Sequence, residues 1–316
     1  MERILVTGAF GQIGSELVPA LRARFGNDNV VASGYEKPVP AHFPDGLNLY
    51  VDITDYGQVE AAIKEYGVDT VYNLGSILSA LAERDRMQAF AVNFGGVNHV
   101  LEAALANGVS QVVVPSSIAA FGPETPADNT PNDTVQRPNT AYGISKVFTE
   151  LMGNYYTTKL GLDVRGVRLP GIISWKVEPT AGTTDYAVAI FYGAIREGRY
   201  TCFLGPDTRL PMMYMPDAVS ALIDVATADF DRLKHHVDYN VAAMNFTPEE
   251  LAAAIQRRIP GFEIEYDVDP LRQSIADSWP DKLDDTVARQ EWDWAPRYDL
   301  DAMVDDMLEN LRAKLA

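Results

Sequence analysis

The sequence predicts an α/β protein, built on a doubly wound parallel sheet and followed by a smaller, mixed domain. Three observations lead there. Short β-branched runs alternate with helical patterns through the first half of the chain, the rhythm of βαβ units. Several runs, such as Ile4-Leu5-Val6 and Val112-Val113-Val114, are apolar throughout, as strands buried on both faces of a sheet must be. After about residue 170 the rhythm breaks, and Pro170 to Asp185 is rich in Gly, Thr and Pro.

Taken in order, the expected strands are Ile4–Thr7, Val30–Ser33, Asn48–Val51, Thr70–Asn73, Gln111–Pro115 and Asp163–Leu169. Helices are expected between them near Ile13–Phe25, Tyr56–Tyr66, Met87–Asn107 and Tyr142–Leu160. Gly122 to Asn139 is a long polar loop punctuated by four prolines, and long loops in compact domains tend to carry function. Pro170 to Asp185 reads as a second loop. Helical periodicity returns near Tyr186–Glu197, Pro216–Ala228, Thr247–Arg258 and Leu300–Leu315, with no internal repeat.

Charge narrows the partners. Asp and Glu outnumber Lys and Arg 44 to 26, a net charge of -18, so the basic footprint needed for nucleic acid is missing. An anionic membrane surface is disfavoured for the same reason. No run approaches the roughly 20 apolar residues of a membrane helix. Cys202 is the one cysteine, which rules out an internal disulfide and a cysteine-based metal site. Among four histidines only His235 and His236 adjoin; they follow Lys234 in a polar stretch that suits a surface turn, so no metal is expected. Met1 to Val6 enters a strand at once, leaving no room for a leader, and a cytoplasmic protein is expected.

The first strand runs into Thr7-Gly8-Ala9-Phe10-Gly11-Gln12-Ile13-Gly14. Alone, three glycines could mark a tight turn. Between a strand and a helix they point to a dinucleotide: Gly8 for the turn, Gly11 for close approach of a pyrophosphate, Gly14 for close packing of the helix on the sheet. The helix N-terminus then offers unpaired N–H groups to the phosphate. An acid at the end of the second strand should bind the adenosine ribose, but Gly34 stands there and Glu36 is the nearest carboxylate. With no Arg at hand for a 2′-phosphate the cofactor expected is NAD, although Lys37 leaves NADP open. Asp52, after the third strand, is a candidate for the adenine amino group, or else a turn or cap residue.

A Tyr and a Lys four residues apart share a helix face, and an ammonium beside a phenol favours phenolate, the form that can take a proton from an alcohol. Two pairs fit, Tyr142–Lys146 and Tyr155–Lys159. Ligands of open α/β sheets bind beyond the carboxyl ends of the strands. Tyr142 follows a long loop at that edge, whereas Tyr155 lies roughly 20 Å down the helix, where it would pack on a neighbour. Tyr142 is therefore the expected base. Ser117, or its neighbour Ser116, follows a buried strand at the same edge and could hold the substrate oxygen.

With the glycines, Ser117 and Tyr142–Lys146 in this order, the chain resembles the extended short-chain dehydrogenase/reductase family over essentially its whole length. The resemblance implies a doubly wound Rossmann domain, a Ser117–Tyr142–Lys146 catalytic set, and a Lys146 that also bonds the nicotinamide ribose. It adds Gln12, Ile13, Ile53, Leu74, Gly75 and Asn93 to the cofactor contacts. Met215-Pro216-Asp217 and Tyr239-Asn240-Val241 resemble the family's re-entry points, giving a Rossmann domain of 1–170 with 212–245 and a substrate domain of 171–211 with 246–316.

Within the family the likeness is closest to the branch that oxidises the 3-hydroxyl of L-threonine with NAD, carried by segments 115–123, 171–179, 182–186, 200–214 and 277–280. Ser117 departs from it where Thr is frequent, and Gly34 departs where Asp is usual. The resemblance implies a small amino-acid substrate near Ser76, Gly182, Thr183, Thr184 and Asp185. Asp185 suits the ammonium, unless these residues merely cap the helix from Tyr186. Trp279 would cover the substrate or belong to the core. A homodimer is implied, formed by the helices near Met87–Asn107 and Tyr142–Leu160. An epimerase or dehydratase acting on nucleotide sugars is the alternative, but it needs basic residues, and the loop 171–185 offers only Lys176. A redox-sensing regulator would have no use for the catalytic set.

Overall fold

Six strands, all but the edge strand Asn48–Tyr50 largely buried, pair in parallel to form the central sheet of the computed structural model, which describes residues 1–179 and 182–315. They are β1 (Ile4–Thr7), β2 (Val30–Gly34), β3 (Asn48–Tyr50), β4 (Thr70–Asn73), β5 (Gln111–Val113) and, after a short β6 (Ser116–Ser117), β7 (Asp163–Arg165). The spatial order is β3-β2-β1-β4-β5-β7, so the direction of growth reverses between β1 and β4. That crevice, at the carboxyl ends of the strands, is where such sheets bind ligands.

Alternation within each strand feeds two cores. Ile4 and Val6 point to one face, where Leu17, Val18 and Leu21 of helix Gly14–Phe25 meet Ala218 and Leu222 of helix Met215–Thr227. Leu5, Val31, Val71 and Val112 point to the other, against helices Tyr56–Tyr66 and Val97–Ala106 and against Phe148 and Met152 of helix Ala141–Tyr155. Each fully buried aliphatic side chain contributes about 1.5–3 kcal/mol.

The expected strand Asp163–Leu169 is in fact two. At Gly166 the chain closes on β5's continuation so tightly that a Cβ would lie 2.1 Å from the Val114 carbonyl. Beyond it, β8 (Val167–Leu169) leaves the central sheet and pairs in parallel with β6 and with Tyr239–Asn240. The expected strand Gln111–Pro115 ends at Val113 for the same reason. The helix expected over Met87–Asn107 is broken into Arg86–Phe90, a π turn at Ala91–Gly96, and Val97–Ala106; a separate helix, Ser79–Arg84, precedes it. Of the loop expected over Pro170 to Asp185, residues 180 and 181 lie outside the described residues, and Gly171–Ile173 is a strand. Its Gly-Ile-Ile backbone pairs in parallel with Leu210–Tyr214, which pairs in turn with Met244–Phe246.

A third core gathers Tyr186, Phe191, Phe246, Leu251, Met303 and Met307 from helices Tyr186–Arg196, Pro248–Gln256 and Leu300–Leu315 with the strands beside them. The histidine pair is not a plain surface turn. His235 is clasped between Glu291 (3.0 Å) and Asp133 (3.2 Å), which ties the long polar loop to helix Thr286–Trp292. Among the described residues no helix is long and apolar enough to cross a membrane.

Candidate active site

The chain leaves β1 through Gly8, whose φ of +64° is open to few residues other than glycine. A Cβ at Gly8 would lie 2.7 Å from the backbone of Leu74 and Gly75, so the loop seats directly on the segment after β4. Gly14 opens the helix with its missing Cβ 2.4 Å from the Ala9 carbonyl; the loop's own backbone, rather than the sheet, requires this glycine. Gly11 is different. Its Cβ direction meets only the Gly8 carbonyl, at 3.2 Å, and Gly11, Gln12 and Ile13 line a cleft of about 250 Å³. Three glycines thus leave a cradle at a helix N-terminus, the shape a pyrophosphate fills.

At the end of β2 a physical reason for Gly34 becomes visible. A Cβ there would lie 1.9 Å from Cδ2 of Phe10, a ring held edge-on by Phe43 and Tyr50. Glu36 is exposed and does not line the cleft, whereas Lys37 does. Asp52 turns out to close a turn: its carboxylate accepts from the Thr54 amide (2.9 Å) and hydroxyl (2.7 Å). Ile53 lies behind the wall, its Cδ1 within 2.5–2.7 Å of where Cβ atoms of Gly75 and Gly96 would stand. Asn93 spends its amide on the scaffold. It accepts from the Ile77 amide (2.8 Å) and the Ser76 hydroxyl (3.3 Å), and donates to the Ile77 carbonyl (2.9 Å) and Ser145 Oγ (3.3 Å). Asn93 and Gly75 line a small adjoining cavity rather than the cleft, while Leu74 and Ser76 line both.

Tyr142 stands in the first turn of helix Ala141–Tyr155, whose start is capped by Thr140 accepting from the Gly143 amide at 3.0 Å. One turn on, Lys146 donates to the Pro115 carbonyl at 2.8 Å, its ammonium 5.3 Å from the centre of the Tyr142 ring. The Ser117 hydroxyl accepts from the Ala119 amide at 3.2 Å, and Ser117 lines the same cleft as Tyr142. Ser116 faces the other way and donates to Glu150 at 2.5 Å. Alternation along an extended strand therefore separates the two serines. Tyr155 is half exposed, edge-on to Tyr156 and away from the cleft.

The electrostatics differ from the expectation that Lys146 holds the phenol down. Burial pushes the Tyr142 phenol up to about 12, against the opposing pull of the Ser117 hydroxyl. Burial also brings the Lys146 ammonium down to about 8, opposed by the charge of Glu150. One of the ammonium's three N–H bonds is directed into a backbone carbonyl, while its charge stays 5.3 Å from the centre of the phenol ring.

Glu150, unremarkable in sequence, anchors the site from beneath. Arg168 grips it with two bonds of 2.9 Å and reaches the Asn132 carbonyl (2.7 Å) and Asn240 (3.2 Å), while Gln136 donates to it at 2.6 Å. The long loop, the catalytic helix and β8 meet at this one buried pair.

Across the cleft lie Gly182, Thr183, Thr184 and Asp185. The Thr183 hydroxyl is buried with no hydrogen-bond partner among the described residues. Asp185 precedes helix Tyr186–Arg196, but its side chain does not cap it; the carboxylate receives the Gly182 amide at 3.4 Å. Trp279 belongs to the third core and also lines the cleft. Leu78, Ser79, Ile172 and Val177 also line the cleft and were not anticipated. Leu78 and Ser79 extend the Leu74–Ser76 segment, and that continuity was the available signal. Lys176, the loop's one base, is paired with Glu16 of the glycine-loop helix at 3.3 Å, where Ser174 also donates at 2.5 Å.

Comparison with known proteins agrees with this geometry. The NAD dependent epimerase/dehydratase family matches residues 4–242. The structure of an L-threonine dehydrogenase from Clostridium difficile superposes with a TM-score of 0.97 at 48% identity, covering 99% of this chain and 98% of that one. The holo form of a GalE-like L-threonine dehydrogenase from Cupriavidus necator gives 0.95 at 47%, covering 98% and 99%. Mitochondrial L-threonine 3-dehydrogenase from Bos taurus is 45% identical over 307 residues, 97% of this chain and 82% of the bovine one.

Proposed function

Because the chain belongs to the NAD dependent epimerase/dehydratase family, the extended short-chain dehydrogenases/reductases, we propose that it is an NAD-dependent L-threonine 3-dehydrogenase. The reaction is oxidation of the 3-hydroxyl to 2-amino-3-oxobutanoate. One observation carries the reading: a single cleft joins the glycine cradle, the Ser117–Tyr142–Lys146 set and the Gly182–Asp185 segment. The division of labour follows the chain, with 1–170 and 212–245 serving the dinucleotide and 171–211 and 246–316 serving the substrate.

Gly8, Gly11, Gln12, Ile13 and Gly14 would hold the pyrophosphate, with Leu74 and Lys146 along the nicotinamide half. Bound there, NAD supplies the hydride acceptor. Tyr142, as phenolate, takes the proton from the substrate hydroxyl, and Ser117 keeps a hydrogen bond to that oxygen as its charge changes. Lys146 supplies the positive charge that favours phenolate. Thr183 has a hydroxyl to offer the amino acid's polar end, and Asp185 a carboxylate for its ammonium, with Ser76 and Thr184 on the flanks. Trp279 and the segment about Val177 exclude water. Cytoplasmic residence belongs to the same reading; the single buried cysteine suits a reducing compartment.

Purified protein mixed with NAD and L-threonine is expected to produce reduced cofactor, followed by its absorbance. Silence with threonine, together with turnover of a nucleotide sugar, would reject the assignment in favour of an epimerase or dehydratase. The pairing of Lys176 with Glu16 argues against that alternative, because the loop's one base is already engaged.

The enzyme is proposed to work as a homodimer. Ile144, Leu151 and Tyr155 form an exposed apolar stripe on the catalytic helix, and Met87 and Phe90 project from its neighbour, Met87 80% exposed. Sedimentation should find two copies together, and Leu151→Glu should leave one. A wild-type protein that sediments as a single chain at micromolar concentration removes this part of the proposal.

A further inference from the structure

The charged residues that line the cleft among those described are Lys37, Lys146 and Asp185, and of these only Lys37 follows β2, the strand whose end serves the adenosine ribose; we infer that this protein accepts the 2′-phosphorylated dinucleotide NADP as well as NAD, with Lys37 meeting the phosphate. The inference rests on the dinucleotide reading of the cleft.

Dinucleotide sheets that select NAD place an acid at the end of the second strand. It bonds the ribose 2′-hydroxyl, and its charge repels a phosphate at that position. Here the device is sterically shut out. Phe10 belongs to the glycine loop itself, and its ring occupies the space a side chain on Gly34 would need, 1.9 Å from the Cβ position. The ring cannot easily leave, since Phe43 and Tyr50 abut it at 6.0 and 5.7 Å between centroids and it is almost fully buried. Phe43 is held in turn by Arg22, 5.6 Å from its ring, and the neighbouring His42 bonds the Ser15 carbonyl of the glycine-loop helix at 2.8 Å.

No nearby carboxylate takes over the missing role. Asp52 accepts the Thr54 amide and hydroxyl on Oδ1, Asp55 accepts from the Gln58 amide at the start of its helix, Glu36 is exposed, and none of the three lines the cleft. No carboxylate from the residues just after β2 or from the turn after β3 therefore lines the cleft. Lys37, three positions beyond the end of β2, does line it, and a phosphate is what its ammonium would attract.

The test is calorimetric titration of the protein with NAD, NADP, and the fragments ADP and 2′,5′-ADP, none of which requires turnover. Wild-type protein is expected to bind NADP within about tenfold of NAD, and 2′,5′-ADP at least as tightly as ADP. Lys37→Ala should weaken NADP by about tenfold more than it weakens NAD. Phe10→Ala combined with Gly34→Asp, which vacates the space and restores the acid, should swing the ratio towards NAD by at least about tenfold. Normal NAD binding with NADP more than about tenfold weaker overturns the inference, as does equal weakening of both by Lys37→Ala. Failure to bind either dinucleotide overturns the dehydrogenase reading itself, so the two failures are distinguishable.

Discussion

Tyr142→Phe should lower turnover of L-threonine by about 10²–10⁴-fold, the range a positioned acid–base group supplies. Removing one oxygen from a ring already packed in the cleft leaves the glycine cradle untouched, so calorimetric NAD affinity should stay near the wild-type value. Tyr155→Phe is the control. It shares the Tyr-x-x-x-Lys spacing but stands half exposed on the far part of the helix, so its turnover should match wild type. Equal loss in both variants would mean that the position of the base has been misread. The pH profile gives a companion result. A phenol held near 12 must lose its proton to act as base, so kcat/KM for oxidation should rise with pH. Above about 8 the Lys146 ammonium loses its own proton and its support for phenolate, so the rise should bend there. A flat profile on the acid side of that bend would reject the assignment of base.

The largest effect on stability is expected at Glu150. Glu150→Leu leaves the Arg168 guanidinium buried without its carboxylate and takes the acceptor from Ser116 and Gln136. Breaking a buried pair by removing one partner costs about 3–5 kcal/mol, and urea denaturation should show a midpoint lowered accordingly. Removing both charges is a different matter. Glu150→Leu with Arg168→Met should recover much of the loss, because no isolated charge remains. If the double variant is as unstable as the single one, the pair's importance lies in its hydrogen bonds to Asn132, Asn240 and Gln136 rather than in charge balance.

Much of this arrangement is legible in the residues because it depends on local pattern. Apolar runs such as Ile4-Leu5-Val6 declare a strand buried on both faces, and the spacing of Gly8, Gly11 and Gly14 declares a loop closed against backbone. That Tyr142 rather than Tyr155 lines the cleft needed only the position of a helix relative to a sheet edge. What stayed hidden depends on residues distant in the chain. The division at Gly166 is imposed by Val114, fifty-two positions earlier. The emptiness of the ribose position is imposed by Phe10, twenty-four positions before Gly34. Asp52 could not be distinguished from a turn residue until its bonds to Thr54 were seen, and Asn93 proved to brace Ser76, Ile77 and Ser145. Burial reversed the expected direction of the phenol's titration, and burial is a property of the whole fold.

The two adjacent serines carry a last consequence. Ser116 pairs with Arg168 and Ser117 with Leu169 in a strand only two residues long. Chemically the pair is interchangeable, and what assigns one to the substrate and the other to the scaffold is register. A slip of a single residue would turn Ser117 towards Glu150 and bring Ile118 into the place that Ser117 now holds. Which hydroxyl is left free of Glu150 is thus stored in the alignment of two strands, one of which carries Arg168, the partner of Glu150.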